Sequence, residues 1–165
     1  MFSEDILTLA KEVVSTCAAA KRRLVTAESC TGGLIAGALT SIPGSSAVLE
    51  RGYISYSNES KIEVLGVLPE VLEQLGAVSA HVAEEMARGA LEFSHADVAI
   101  SVTGIAGPDG GSAEKPVGLV FFGLATRGGA LLHYEINFSG NRDEIRMQAV
   151  AEGLKLILSA SEDHD

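Results

Sequence analysis

Apolar positions along this chain follow two alternating rhythms, one of helical spacing and one of short continuous runs. Ile6, Ala10, Val13 and Cys17 recur at helical intervals behind Ser3, which can cap a helix, and Glu4 and Asp5, which suit its positive end. Residues 23–27 form a short apolar run read as the first strand, and 31–41 return to a helical pattern. Residues 52–57 are rich in β-formers and predict a second strand. Short helices are expected at 59–65 and 69–75, the latter opened by Pro69. Ser79 can cap a longer helix with Val82, Met86, Ala90 and Phe93 on its inner side and a Glu84–Arg88 pair on its outer face. Residues 97–102 and 117–125 are nearly unbroken apolar runs, as strands covered on both faces require. In 131–138, Leu132, Tyr134, Ile136 and Phe138 alternate with Leu131, His133, Glu135 and Asn137, which predicts a strand nearer an edge. Asn141 and Glu144 make a capping-box pattern for a last helix whose inward stripe is Met147, Val150, Ala151, Leu154 and Leu158. The acidic tail 161–165 is expected to fray.

Strands separated by helices predict an α/β fold with helices on both faces of the sheet. The close succession of 117–125 and 131–138 around Arg127-Gly128-Gly129 implies a hairpin. The sheet is therefore expected to be mixed, of about five strands, mostly parallel with one antiparallel member. Ligands of such sheets sit beyond the carboxyl ends of the parallel strands. Three loops have the small and polar residues suited to that place: 28–33, 57–61 and 103–112.

With 165 residues and 47% hydrophobic content, the chain suits one domain with one core. A net charge of −10 argues against non-specific nucleic-acid binding, because no basic surplus exists to displace counterions. Cys17 and Cys30 form neither a metal spacing nor a disulfide framework, which fits a reducing cytoplasm. Residues 1–5 lack the basic start and apolar core of a signal peptide, and no apolar run is long enough to cross a bilayer. These features predict a cytoplasmic protein with no membrane partner.

Chemistry has to come from the loops. Ala27-Glu28-Ser29-Cys30-Thr31-Gly32-Gly33 joins a strand to a helix, leaving backbone N–H groups outward and a serine at the mouth of the turn. Such a turn can hold a phosphate, or an oxyanion beside a nucleophile. Ser29 needs a base. His81, His95, His133 and His164 have no tie to the glycine-rich loops, and each reads as an ordinary surface histidine. Lys61 follows the second predicted strand; as a base it must lose proton affinity worth about 4 kcal/mol, which a semi-buried cleft can supply. On residue types alone an exposed helix lysine remains the competing reading. Ser112-Ala113-Glu114-Lys115 matches the Ser-x-x-Lys pattern of penicillin-binding enzymes, but Gly110, Gly111 and Pro116 oppose the helix it requires. Ser139-Gly140-Asn141-Arg142 could bring amides and a guanidinium onto a phosphate, or could simply be a capped helix with an exposed arginine. No nucleotide-cofactor fingerprint and no metal-ligand cluster is present, so neither a cofactor nor a metal is expected.

Taken together, 27–33, 50–61, 76–79, 104–112, 115–118 and 138–143 resemble the CinA C-terminal domain family in the family's order, over nearly the whole chain. The resemblance implies a three-layer α/β/α domain spanning 1–165, often homo-oligomeric and without metal, in a stand-alone form. It implies a nicotinamide-nucleotide amidase that converts nicotinamide mononucleotide to nicotinate mononucleotide and ammonia. By position, Ser29 corresponds to the nucleophile, Lys61 to the general base and Tyr56 to a hydrogen-bonding helper. Amides around Cys30, Thr31, Gly32 and Gly33 would form the oxyanion hole, Thr103 and Gly104 would wall the pocket, and Arg142 would hold the phosphate. The chain departs from the family pattern at Asn141, where an acidic residue is commoner, and at Ala80, where glutamate is. A nucleotide-binding or regulatory module that kept the pocket without turnover and is linked to competence or the DNA-damage response, and an amidase for another small amide, are the alternatives. The role of Glu28, orienting the site or capping the turn, stays open.

Overall fold

The structure is a computed structural model that describes residues 1–162. Its elements run α1 (Glu4–Ala19), β1 (Leu24–Glu28), α2 (Leu34–Thr40), β2 (Leu49–Ile54), α3 (Asn58–Leu65) and α4 (Pro69–Leu75). They continue with α5 (Ala80–Glu92), β3 (Val98–Gly104), β4 (Leu119–Thr126), β5 (Leu131–Asn137) and α6 (Arg142–Glu162). The five strands form one sheet in the order β2-β1-β3-β4-β5. β2, β1 and β3 pair in parallel, and both pairings of β4 are antiparallel. Four strands thus point one way and β4 the other, as the hairpin pattern requires. The frayed tail expected at 161–165 is met by a helix that continues through 161 and 162; its remaining residues lie outside the described ones.

Strand parity sorts the core into two layers. Leu24, Ile100, Val102, Val120, Phe122 and Leu124 face α1, α2 and α6. Val25, Ala27, Ala99 and Ala125 face α5 together with Leu65 of α3 and Leu72 of α4. On this second face the sheet offers small residues, and α5 answers with Ala83, Ala87 and Ala90, so helix and sheet lie close. Ser101 Oγ donates to the Ala83 carbonyl and accepts from Gly123 N, so both polar groups are satisfied where the layers meet.

The same closeness governs α3. A Cβ on Gly89 of α5 would stand 1.8 Å from the Leu65 carbonyl oxygen at the end of α3. Gly89→Ala is therefore expected to destabilise the fold by at least about 2 kcal/mol, read as a lowered midpoint in urea, because rigid backbone rather than a movable side chain must yield. A midpoint unchanged from the parent would show that α3 can shift freely.

Several expectations need correction. α2 begins at Leu34, not residue 31, because Gly32 and Gly33 take φ of 57° and 96°, outside the helical range. β2 is Leu49–Ile54, three residues earlier than read, because the chain leaves the sheet at Ser55 to enter α3. β4 starts at Leu119 rather than 117. Phe93 lies just past α5 and is 49% exposed; its N–H donates to the Gly89 carbonyl and its own carbonyl accepts from Arg51 and Tyr53. Glu84 pairs with His133 across to β5 instead of with Arg88, which reaches Glu85. Leu132, at the start of edge strand β5, is 47% exposed, although Tyr134 and Ile136 on its side do pack on the core. Among the described residues no helix is long and apolar enough to cross a membrane.

Candidate active site

Two of the three loops singled out above, 28–33 and 103–112, leave the carboxyl ends of β1 and β3 and meet at a cleft of about 280 Å³, joined by Tyr56 between β2 and α3. Of the third, 57–61, Ser57 caps α3 and the rest is its first turn, and none of it lines the cleft. Ser29, Cys30, Tyr56, Thr103, Gly104 and Arg142 line it. Thr31, Gly32, Gly33 and Lys61 are not among its lining residues; Lys61 reaches it through Ser29, and Thr31 follows the lining residue Cys30 in the turn.

Parity explains how β1 delivers two polar groups to opposite sides. Glu28 falls on the α2 face and is fully buried. Its carboxylate accepts from Thr31 Oγ1, from Gly33 N at 3.1 Å, Ile35 N at 3.0 Å and Ala36 N at 2.9 Å. Glu28 is thus the cap of α2, its negative charge set against the helix's positive end. The capping role is therefore seen directly, and the same bonds spend amides that the turn was expected to offer. Gly33 N belongs to Glu28, and Gly32 N donates to the Ser29 carbonyl at 3.0 Å. The amides of Cys30 and Thr31 find no acceptor among the described residues. The anion-holding amides expected over 30–33 therefore narrow to these two.

Ser29, one residue on, turns toward α3, where Ser57 caps the helix and places Lys61 on its inner face. Lys61 is 1% exposed, and its Nζ lies 3.0 Å from Ser29 Oγ, 2.8 Å from the Ser55 carbonyl and 3.3 Å from the Tyr56 carbonyl. A carbonyl can only accept, so the two carbonyls claim two N–H groups. A neutral amine has two, which leaves its lone pair for the serine hydroxyl. Burial lowers the Lys61 proton affinity from its ordinary value, with Cys30 opposing weakly. Cys30 itself is pushed up to about 11, chiefly by burial, so its thiol stays protonated at neutral pH beside the serine.

Tyr56 contributes at both ends. Its carbonyl holds Lys61, while its phenol oxygen accepts from Arg142 Nη2 at 3.1 Å. Arg142 Nη1 donates to the Gly107 carbonyl at 2.7 Å, so this guanidinium hangs over the cleft between two loops. Behind it the capping box forms as read, Asn141 N to Glu144 and Glu144 N to Asn141 Oδ1. Thr103 Oγ1 donates to the Ala77 carbonyl at 2.9 Å and fixes the far wall. The Ser112–Lys115 match is a turn, with Lys115 N donating to Ser112 Oγ, and not a helix. Among the described residues no group of His, Cys, Asp and Glu could hold a metal ion.

Three groups escaped the sequence reading. The carbonyls of Ser55 and Tyr56 leave no mark on side-chain patterns. Arg146, which donates to the Cys30 carbonyl, sits four residues after Arg142 on the same helix, and that spacing could have pointed to it.

Comparison with known proteins adds an independent line. The family model described as the CinA C-terminal domain matches residues 6–161. A protein of Enterobacter agglomerans named nicotinamide-nucleotide amidohydrolase PncC is 58% identical over 132 residues, 80% of each chain. Its namesake from Escherichia coli K12 is 48% identical over 157 residues, 95% of each chain. The crystal structure of the competence/damage inducible protein CihA from Agrobacterium tumefaciens superposes with a TM-score of 0.97 at 48% identity, covering 98% of this chain and 99% of that one.

Proposed function

Because this chain belongs to the CinA C-terminal domain family, we propose that it is a nicotinamide-nucleotide amidase working through a serine–lysine pair. The observation that carries the reading is the 3.0 Å contact of Lys61, buried and so lowered in proton affinity, with Ser29 Oγ at the wall of a cleft. Lys61 takes the hydroxyl proton as Ser29 Oγ attacks the carboxamide carbon of nicotinamide mononucleotide. The negative oxygen that forms is met by the Cys30 and Thr31 amides. Lys61 then gives the proton to the leaving nitrogen, ammonia departs, and water activated by the same amine hydrolyses the acyl-enzyme to nicotinate mononucleotide.

Arg142 marks the other end of the ligand. A phosphate can take its two N–H arms in bidentate fashion, in place of the Gly107 carbonyl and Tyr56 hydroxyl that it now serves. Arg142→Gln is expected to raise KM about 10- to 100-fold and to change kcat by less than about threefold, since the phosphate contact persists unchanged through the reaction. A variant with unaltered KM would remove Arg142 from the binding site.

The direct test is ammonia release from nicotinamide mononucleotide by the purified protein, with nicotinate mononucleotide as the co-product. Nicotinamide riboside, lacking the phosphate, should be a poorer substrate. Thermal stabilisation by the nucleotide without any ammonia would overturn the amidase reading in favour of a binding module.

A further inference from the structure

Arg146 has no part in the chemistry above. It is half-buried on α6, outside the lining of the cleft, and both its hydrogen bonds go to backbone carbonyls of the nucleophile turn. Its Nε donates to Cys30 O at 3.0 Å, and its Nη2 reaches Thr31 O at 3.4 Å. Nη2 would also lie 3.5 Å from a Cβ placed on Gly32, so the guanidinium rests against the turn itself. Among the described residues no carboxylate pairs with it.

We infer that Arg146 is a positioning residue that aims the amides of the nucleophile turn at the oxygen that becomes negative during the reaction. The inference rests on the serine–lysine reading. In a trans peptide the carbonyl and the N–H of one unit point in opposite directions. Arg146 draws the Cys30 carbonyl toward α6, so the N–H of the same unit, that of Thr31, is turned away from α6. The rest of the turn is pinned independently: Gly32 N on the Ser29 carbonyl, Gly33 N on Glu28 and Ser29 N on the Val102 carbonyl. The Cys30 and Thr31 amides are what this bracing leaves uncommitted. A cation on the carbonyl of a peptide also polarises that unit, making its N–H the stronger donor.

An arginine acting in this way affects the reaction barrier and not substrate affinity. Removing an oxyanion donor outright costs about 10²- to 10³-fold in kcat, so mis-aiming one should cost less. Arg146→Met is expected to lower kcat about 30- to 100-fold with KM within about threefold. Arg146→Lys, able to keep one bond to the Cys30 carbonyl, should recover to within about tenfold of the parent. The pH dependence of kcat/KM, set by Lys61, should not move. Labelling of Ser29 by a fluorophosphonate, whose oxygen would occupy the same place, should slow in parallel with kcat. Should Arg146→Met fail to fold, the Arg146→Lys protein carries the same comparison. A rise in KM at constant kcat, a shifted pH profile, or labelling and turnover within twofold of the parent would each overturn the inference while the amidase reading stands. A parent protein that neither turns over the nucleotide nor labels at Ser29 overturns both.

Discussion

Ser29→Ala is expected to lower ammonia release by on the order of 10⁴-fold or more while the protein keeps its fold. The hydroxyl is the only atom lost. Ser29 N still donates to the Val102 carbonyl, and the Ser29 carbonyl still accepts from Gly32 N, so the turn keeps its backbone bonds. The side chain is small and contributes little to the core, so the melting temperature should change by only a few degrees. Binding should persist as well, because Arg142 and the walls of the cleft are untouched; the nucleotide should still raise the melting temperature of the inactive protein. The combination is diagnostic, since a misfolded variant would lose both properties. Turnover within tenfold of the parent would take the nucleophile's role away from Ser29.

Lys61→Met should be about as inactive, and its stability should respond to pH in a defined direction. Burial lowers the pKa of Lys61 in the folded protein below its ordinary value of 10.5. Below the folded pKa both states carry the proton, and the fold bears the full penalty of a buried charge. Between the folded value and 10.5 the unfolded chain binds more protons than the folded one, so this group's contribution grows more favourable as pH rises. Above that window the penalty is gone. Methionine removes the titration, so the stability of Lys61→Met relative to the parent should decline steadily as pH climbs through the window. A difference independent of pH would mean that Lys61 is not depressed. In the parent, kcat/KM should rise with pH along the same ionisation, reporting the free enzyme's base.

Much of this site is legible in the chain, because the reading depends on local order. A strand, a small-residue turn and a helix in succession place Ser29, and alternation along β5 places that strand at the edge. What is not legible depends on distant packing. Nothing near Lys61 says that it is buried; that follows from α3 lying against Gly89 of α5, twenty-eight residues later. The Glu28 question could not be closed in sequence because its partners are backbone amides, which every residue offers. Arg146 escaped for the matching reason, as its partners are carbonyls. Phe93 keeps the helical rhythm of its neighbours, yet the helix stops one residue before it.

The carboxylate sealed under α2 would also, on the proposed reading, set which way round a dipolar guest enters. A helix start is the usual landing place for a phosphoryl group, but here the protein has filled it with an anion of its own. Among the described residues Arg142 is the one cationic side chain lining the cleft, so on the proposed reading a guest with an uncharged amide at one end and a phosphate at the other would find a single cationic address. On the proposed reading, the phosphate tail would be captured at α6 and the amide head left to the serine.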